Sequence, residues 1–153
     1  MKLSEHFSLG ELTKTNYVTK DGNFPSRVAI ENLTNLCENW LEALRQAQGP
    51  LIINSGYRSP EVNKLAGGAP TSNHLTGCAV DIHVSGFEQA VRYASILLDI
   101  SDGTKRDYDE LFIEKNKTGS HWIHFAVRPK DRSATQGDAC LSKNRRKGGF
   151  LKV

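Results

Sequence analysis

The sequence predicts an α+β fold: a small antiparallel sheet packed against helices. Two observations predict it. Helical periodicity governs the first half of the chain and strand alternation gathers in the second, an order that favours segregated helices and sheet. The chain has 153 residues, 38% of them hydrophobic, which suits one domain around one core. Residues 1–153 are therefore read as a single domain with a basic C-terminal segment, 128–153.

Ser8-Leu9-Gly10-Glu11 has the spacing of a capping box, so a short helix is expected to start there. Asp21-Gly22-Asn23 and Pro25 mark a loop. Ser26 opens the clearest helix, which runs to about Gln46. Its apolar residues Val28, Leu33, Leu36, Cys37, Trp40, Leu41 and Leu44 mostly recur three or four apart and form one stripe. Gly49-Pro50 stops it, and Leu51-Ile52-Ile53 reads as a short buried strand. Ser59-Pro60-Glu61 starts another helix, closed by Gly67-Gly68. Residues 69–77 are polar and loop-like. Residues 79–84 alternate, with Val80, Ile82 and Val84 facing one way and Ala79, Asp81 and His83 the other. Residues 87–98 form an amphipathic helix, Ser101 to Asp107 a charged loop, and 111–113 and 122–127 two further strands.

Composition removes several function classes. The longest apolar run, Ala94 to Ile100, is broken by Ser95 and Asp99 and is far short of the roughly 20 residues a bilayer requires. Met1 to Leu12 carry Glu5, His6 and Glu11 and show no apolar core of a signal peptide. The protein is expected to be made in the cytoplasm and, if its target is external, to be released by another agent; a phage lysis system with a separate pore fits. Cys37, Cys78 and Cys140 have no C-x-x-C spacing and are read as free thiols. The net charge is +3, yet residues 128–153 hold eight Lys/Arg against Asp131 and Asp138, which leaves −3 for the remainder. Such a tail suits an anionic polymer such as cell-wall glycopolymer, or a solvated end. Sequence-specific nucleic-acid binding is not expected, because Phe150 is the tail's only aromatic residue.

Asp81 sits on the non-core face of its strand, and His74 lies in the loop just before, with Gly77 between to turn the chain. An imidazole and a carboxylate so placed can supply two ligands to one zinc, and His124 in the late strand is the best third. Two His and one carboxylate form an established catalytic zinc set. The spacing alone is a weak signal. Arg58 ends the Ser55-Gly56-Tyr57-Arg58 turn, where a guanidinium can hold a carboxylate or a developing oxyanion. Ser72 could donate a hydrogen bond to substrate. His121 lies three before His124, and in a strand such residues face opposite sides. Both can reach one cleft only if His121 belongs to the turn before the strand.

Ser72-x-His74-x-x-Gly77-x-Ala79-x-Asp81, followed by His121-x-x-His124, resembles the zinc D-alanyl-D-alanine carboxypeptidases, whose relatives include dipeptidases of vancomycin resistance and phage endolysin peptidases. Ser55-Gly56-Tyr57-Arg58-Ser59-Pro60, Phe7-Ser8-Leu9-Gly10-Glu11-Leu12 and Asn144-Arg145-Arg146 are similar to the small phage-type branch. The resemblance implies a hedgehog-like zinc peptidase fold and one zinc per chain, held by His74, Asp81 and His124. It implies that Arg58 stabilises the tetrahedral intermediate, that His121 occupies the general-base position, and that Ser72 and Tyr57 contact substrate. The implied substrate is the peptidoglycan stem peptide, cut by a monomeric carboxypeptidase or endopeptidase.

Plainer readings stand beside these. His83 shares the face of Asp81 and is expected at the rim or in a supporting position. His6 is read as surface, Trp40 and Cys78 as packing, and Glu114 as a solvated strand end. Trp122 is either core or a cleft wall. The competing functions are a non-catalytic zinc domain, of the kind found in signalling proteins of this fold, and nucleic-acid binding through the tail.

Overall fold

A computed structural model describes residues 1–129 and 151–153. The elements run α1 (Leu9–Leu12), α2 (Arg27–Leu36), a π-helical turn (Cys37–Leu41), α3 (Glu42–Gln48), β1 (Ile53–Ser55), α4 (Pro60–Leu65), a 3-10 turn (Asn73–Thr76), β2 (Ala79–His83), α5 (Phe87–Thr104), β3 (Glu110–Lys115), β4 (His121–Ala126) and β5 (Leu151–Lys152). The sheet order is β1-β2-β4-β3-β5. The first four strands pair antiparallel, and β5 joins β3 in parallel at the edge. This is the expected α+β arrangement, with one parallel edge pair that the sequence did not announce.

The helix starts follow the caps. The side chains of Ser8, Ser26 and Ser59 accept from Glu11, Ala29 and Val62 amides, each satisfying a donor that the first helical turn leaves free. The long helix expected from Ser26 is continuous through the π-helical turn and ends at Gly49, whose φ is 86°. Its buried stripe runs through Ala29, Leu33, Leu36, Cys37, Trp40, Leu41 and Leu44. Val28 departs from expectation at 54% exposure, because a helical step of about 100° carries it off the face that Ala29 occupies.

Several boundaries differ from expectation: β2 ends at His83, and β4 runs from His121 to Ala126. β1 runs Ile53–Ser55, and Ile52, expected to be buried, is 63% exposed. Residues expected as a loop after Leu98 continue α5 to Thr104; Gly103 is tolerated inside it, and Lys105 at φ 59° ends the helix. Ser101 Oγ donates to the Arg106 carbonyl at 2.6 Å and folds the chain back. β3 extends to Glu110 and Lys115 at its two ends.

The core lies between one sheet face and the helices. Val80, Ile82, Leu111, Ile113, Ile123 and Phe125 meet residues of α2, α3 and α5, and Trp40 rests 4.9 Å from the Phe125 ring. Each such side chain contributes about 1.5–3 kcal/mol when fully buried. Cys37 and Cys78 are buried free thiols. Burial, reinforced by Glu11, Glu42 and Glu38, pushes the Cys37 thiol up to about 12, so it is inert packing. No described helix is long and apolar enough to cross a membrane. Cys140, Asn144-Arg145-Arg146 and the basic segment from 130 to 150 lie outside the described residues, as does any role in wall adhesion.

Candidate metal centre

Side chains alternate along strands, so the core-facing set leaves a second set on the opposite sheet face. On β2 these are Ala79, Asp81 and His83; on β4 Trp122, His124 and Ala126; on β3 Glu110, Phe112 and Glu114. Register makes Asp81 the direct partner of His124, and His124 that of Phe112. His124 Nδ1 lies 2.9 Å from one Asp81 oxygen, and His74 Nε2 lies 3.3 Å from the other. His74, Asp81 and His124 thus converge, with one potential ligand atom from each lying within 4.8 Å of the others.

His74 arrives from the 3-10 turn. Ser72 caps that turn by accepting from the His74 amide, and Gly77 closes it at φ 75°. A Cβ at Gly77 would run into the Ala29 carbonyl, so the return into β2 requires glycine. His74 Nδ1 lies 2.6 Å from the Gly56 carbonyl oxygen. A carbonyl only accepts, so Nδ1 carries a proton, and Nε2 is left facing Asp81, where it becomes the ligand atom once free of its own proton. Gly56 itself is held close to α1, because any Cβ there would collide with the Leu12 carbonyl.

His124 is oriented from its other side. Its Nε2 lies 2.7 Å from Glu110, whose same oxygen accepts from Asn73 Nδ2 at 3.2 Å. A carboxylate there fixes the proton on Nε2 and turns Nδ1 toward Asp81, as supporting carboxylates do for metal-binding histidines. Phe112 stacks on the ring at 5.4 Å. Burial alone would lower the His124 pKa, but the hydrogen bonds and charges of Asp81 and Glu110 outweigh it and push the ring up to about 9. Burial would raise Asp81, yet hydrogen bonds from His124 and His74 and their charges hold it well below the usual carboxylate range.

Arg58 Nη2 donates to Asp81 at 3.0 Å, and its Nε donates to Ser55 Oγ at 3.0 Å. The guanidinium is therefore fixed against the triad carboxylate. Tyr57 is buried in the same turn, its amide donating to the Leu12 carbonyl; Ser72 stands beside His74 as its cap.

His121 is not brought to this cluster. The condition for it to share the cleft was a place in the turn, but His121 is the first residue of β4 and pairs with Lys115. Strand alternation then sends its ring to the face opposite His124, where it lies 5.6 Å from Phe87. Glu110 is the supporting residue the sequence reading passed over. Its signal was the period of two through Glu110, Phe112 and Glu114, hidden when the strand was started at Leu111. Glu114 also stands on the site face, opposite Trp122. His83 is exposed and Trp122 half-buried on that face.

Two imidazole nitrogens and one carboxylate, each with its tautomer or charge fixed by a partner, suit zinc. Ligands at about 2.0 Å in a tetrahedron are about 3.3 Å apart, and three of them leave a fourth position open. Here one ligand atom from each residue lies within 4.8 Å of the others, close enough for a single small cation to engage all three.

The Streptomyces albus G zinc D-Ala-D-Ala carboxypeptidase is 35% identical over 80 residues, covering 50% of this chain and 31% of that protein. The chain thus matches less than a third of the relative's length. The Peptidase M15 profile matches residues 5–109, a span that includes Arg58, His74 and Asp81 but stops short of Glu110 and His124. The sheet register supplies what lies beyond the match, and on the profile's coverage this chain belongs to the peptidase M15 family.

Proposed function

We propose that this protein is a zinc peptidase that hydrolyses peptidoglycan stem peptides. The observation that carries the reading is the convergence of His74, Asp81 and His124 on one sheet face, with Arg58 fixed on the same carboxylate. Zinc held by these three side chains would act as a Lewis acid on a peptide carbonyl and would acidify water. Glu110 keeps the His124 ring turned so that Nδ1 faces the metal position, and the Gly56 carbonyl does the same for His74 Nε2. Arg58 offers donors where negative charge develops on the tetrahedral oxygen or where a substrate carboxylate rests. Ser72, half-buried beside His74, is near enough to contact substrate, whereas Tyr57 is buried in the core cluster.

The proton must move from the attacking water to the leaving amine. Glu110 is engaged by His124 and Asn73, whereas Glu114 stands on the site face two residues further along β3. Glu114 is the group that best fits this transfer, and His121 faces away from it. Trimming of terminal D-alanine, as the relative's name describes, and an internal stem cut both fit this chemistry. The test is digestion of purified muropeptides by zinc-loaded protein, with products weighed by mass spectrometry. A zinc-loaded protein inert on several stem-peptide chemotypes would be a zinc-binding domain and not a peptidase.

A further inference from the structure

At the end of β2, past the triad, lies a hollow of about 580 Å³ lined from both sheet faces, by His83 and Trp122 from the triad's face and by Val84 and His121 from the other. His83 and Trp122 open it. They are direct strand partners, each two residues from Asp81 and His124, so the hollow begins about 7 Å along the sheet from the triad. Asn54, Ser85, Asn116 and Thr118 add amides and hydroxyls, and His121 supplies a further ring. The position that withdraws His121 from the triad puts it in this wall, against the half-exposed ring of Phe87.

The lining is chemically selective. Among the described residues, no Asp, Glu, Lys or Arg lines the hollow. A charged ligand would lose hydration there without a counter-charge. The Asn54 amide and the Ser85 hydroxyl can both donate and accept, and Asn116 keeps its amide donors, matching a ligand that does the same. Aromatic rings cover apolar C–H faces while leaving polar edges to bond. The hairpin tip is already fastened: Asn116 Oδ1 accepts from the Thr118 amide, the Thr118 hydroxyl and the Ser120 amide. Little ordering is then left for the ligand to drive.

We propose that this hollow binds an N-acetyl amino sugar of the glycan strand to which the stem peptide is joined. The inference rests on the stem-peptide reading. A stem peptide bears carboxylates, which require a cation such as Arg58; the sugar is the neutral part of the polymer, rich in hydroxyls and amides. Two residues of extended peptide span the roughly 7 Å between hollow and triad, so the sugar site goes with an internal cut near the sugar-bearing end of the stem and not with trimming of its far terminus.

The test uses a neutral probe, N,N′-diacetylchitobiose, titrated into the zinc-loaded full chain by calorimetry. In parallel, kcat/KM is measured for one stem peptide with and without its disaccharide. The expected results are saturable chitobiose binding and a preference of about tenfold for the sugar-linked substrate, the effect of one good anchoring contact. Trp122→Ala should weaken chitobiose binding about tenfold and shrink the preference toward unity. Asn54→Ala, at an exposed position, repeats the test with little risk to folding. Absence of saturable binding, or equal kcat/KM for the two substrates, overturns the sugar site even if the peptide is cut. Chitobiose binding that persists in a protein unable to cut either substrate supports the sugar site and removes the peptidase reading.

Discussion

His124 Nε2 lies 2.7 Å from a carboxylate oxygen of Glu110, on the side of the ring away from Asp81. One imidazole thus bridges two carboxylates, the first orienting it and the second sharing its metal position. Glu110 holds no metal in this arrangement, so its effect should be on affinity and not on ligand count. Loss of a supporting carboxylate typically costs about 10–100-fold in metal affinity or activity. Glu110→Ala should weaken zinc by that order in competition against a chelating dye, and Glu110→Gln, which keeps an acceptor, by less. Unchanged affinity in both variants would remove the orienting role.

Placement of Glu114 and His121 on opposite sheet faces separates their expected effects. Glu114→Gln should keep a full zinc complement and lose about 10²–10⁴ in turnover, the usual contribution of a general base. His121→Ala should act mainly on KM for sugar-linked substrate. The reverse pattern, with kcat collapsing in His121→Ala, would mean the β4 start rearranges on binding substrate.

Acid and base should move the zinc-free and zinc-loaded proteins in opposite senses. The folded His124 pKa, about 9, lies above its ordinary 6.5. Its stabilising contribution is therefore complete below about 6.5 and is lost as pH rises through about 9. Asp81, held below its ordinary range, contributes above that range and loses its contribution as pH falls. Zinc requires His124 Nδ1 free of its proton, so metal binding strengthens over the same interval. Melting temperatures of chelated protein should fall from pH 6.5 to 9 while the increment due to zinc grows. Parallel curves would count against the two-carboxylate account of His124.

Removing Asp81 tests the buried cluster in the absence of metal. Arg58, His74 and His124 all face this carboxylate, whose side chain is 11% exposed. Deleting one partner of a buried pair costs about 3–5 kcal/mol. Asp81→Ala should lower the stability of chelated protein by that order in urea titration and abolish stoichiometric zinc. His83→Ala, at an exposed position, should leave zinc content intact. Equal zinc loss in both would exchange the two residues' roles.

Gly56 links the site to α1. A Cβ there meets the Leu12 carbonyl, and overpacking costs about 1–3 kcal/mol. Because the Gly56 carbonyl holds His74, Gly56→Ala should lose both stability and zinc affinity. A loss of stability alone would mean that the turn relaxes without moving His74.

Much of this was legible along the chain. The α+β class, the helix caps, the core stripe from Leu33 to Leu44, and the facing of Val80 and Ile82 against Asp81 are local matters of period and capping. The convergence of His74 with Asp81 was suggested by the six residues of turn and strand between them. What stayed hidden depended on where a strand begins. β3 and β4 pair from Lys115 and His121 around a loop tied by Asn116, and that register alone decides which side chains share a face. One residue of difference at that hairpin would exchange the faces of His121 and His124. Period fixes alternation, whereas pairing across 43 positions fixes its phase, and only the folded sheet places His124 on Asp81, Glu110 behind it and His121 in the neighbouring hollow.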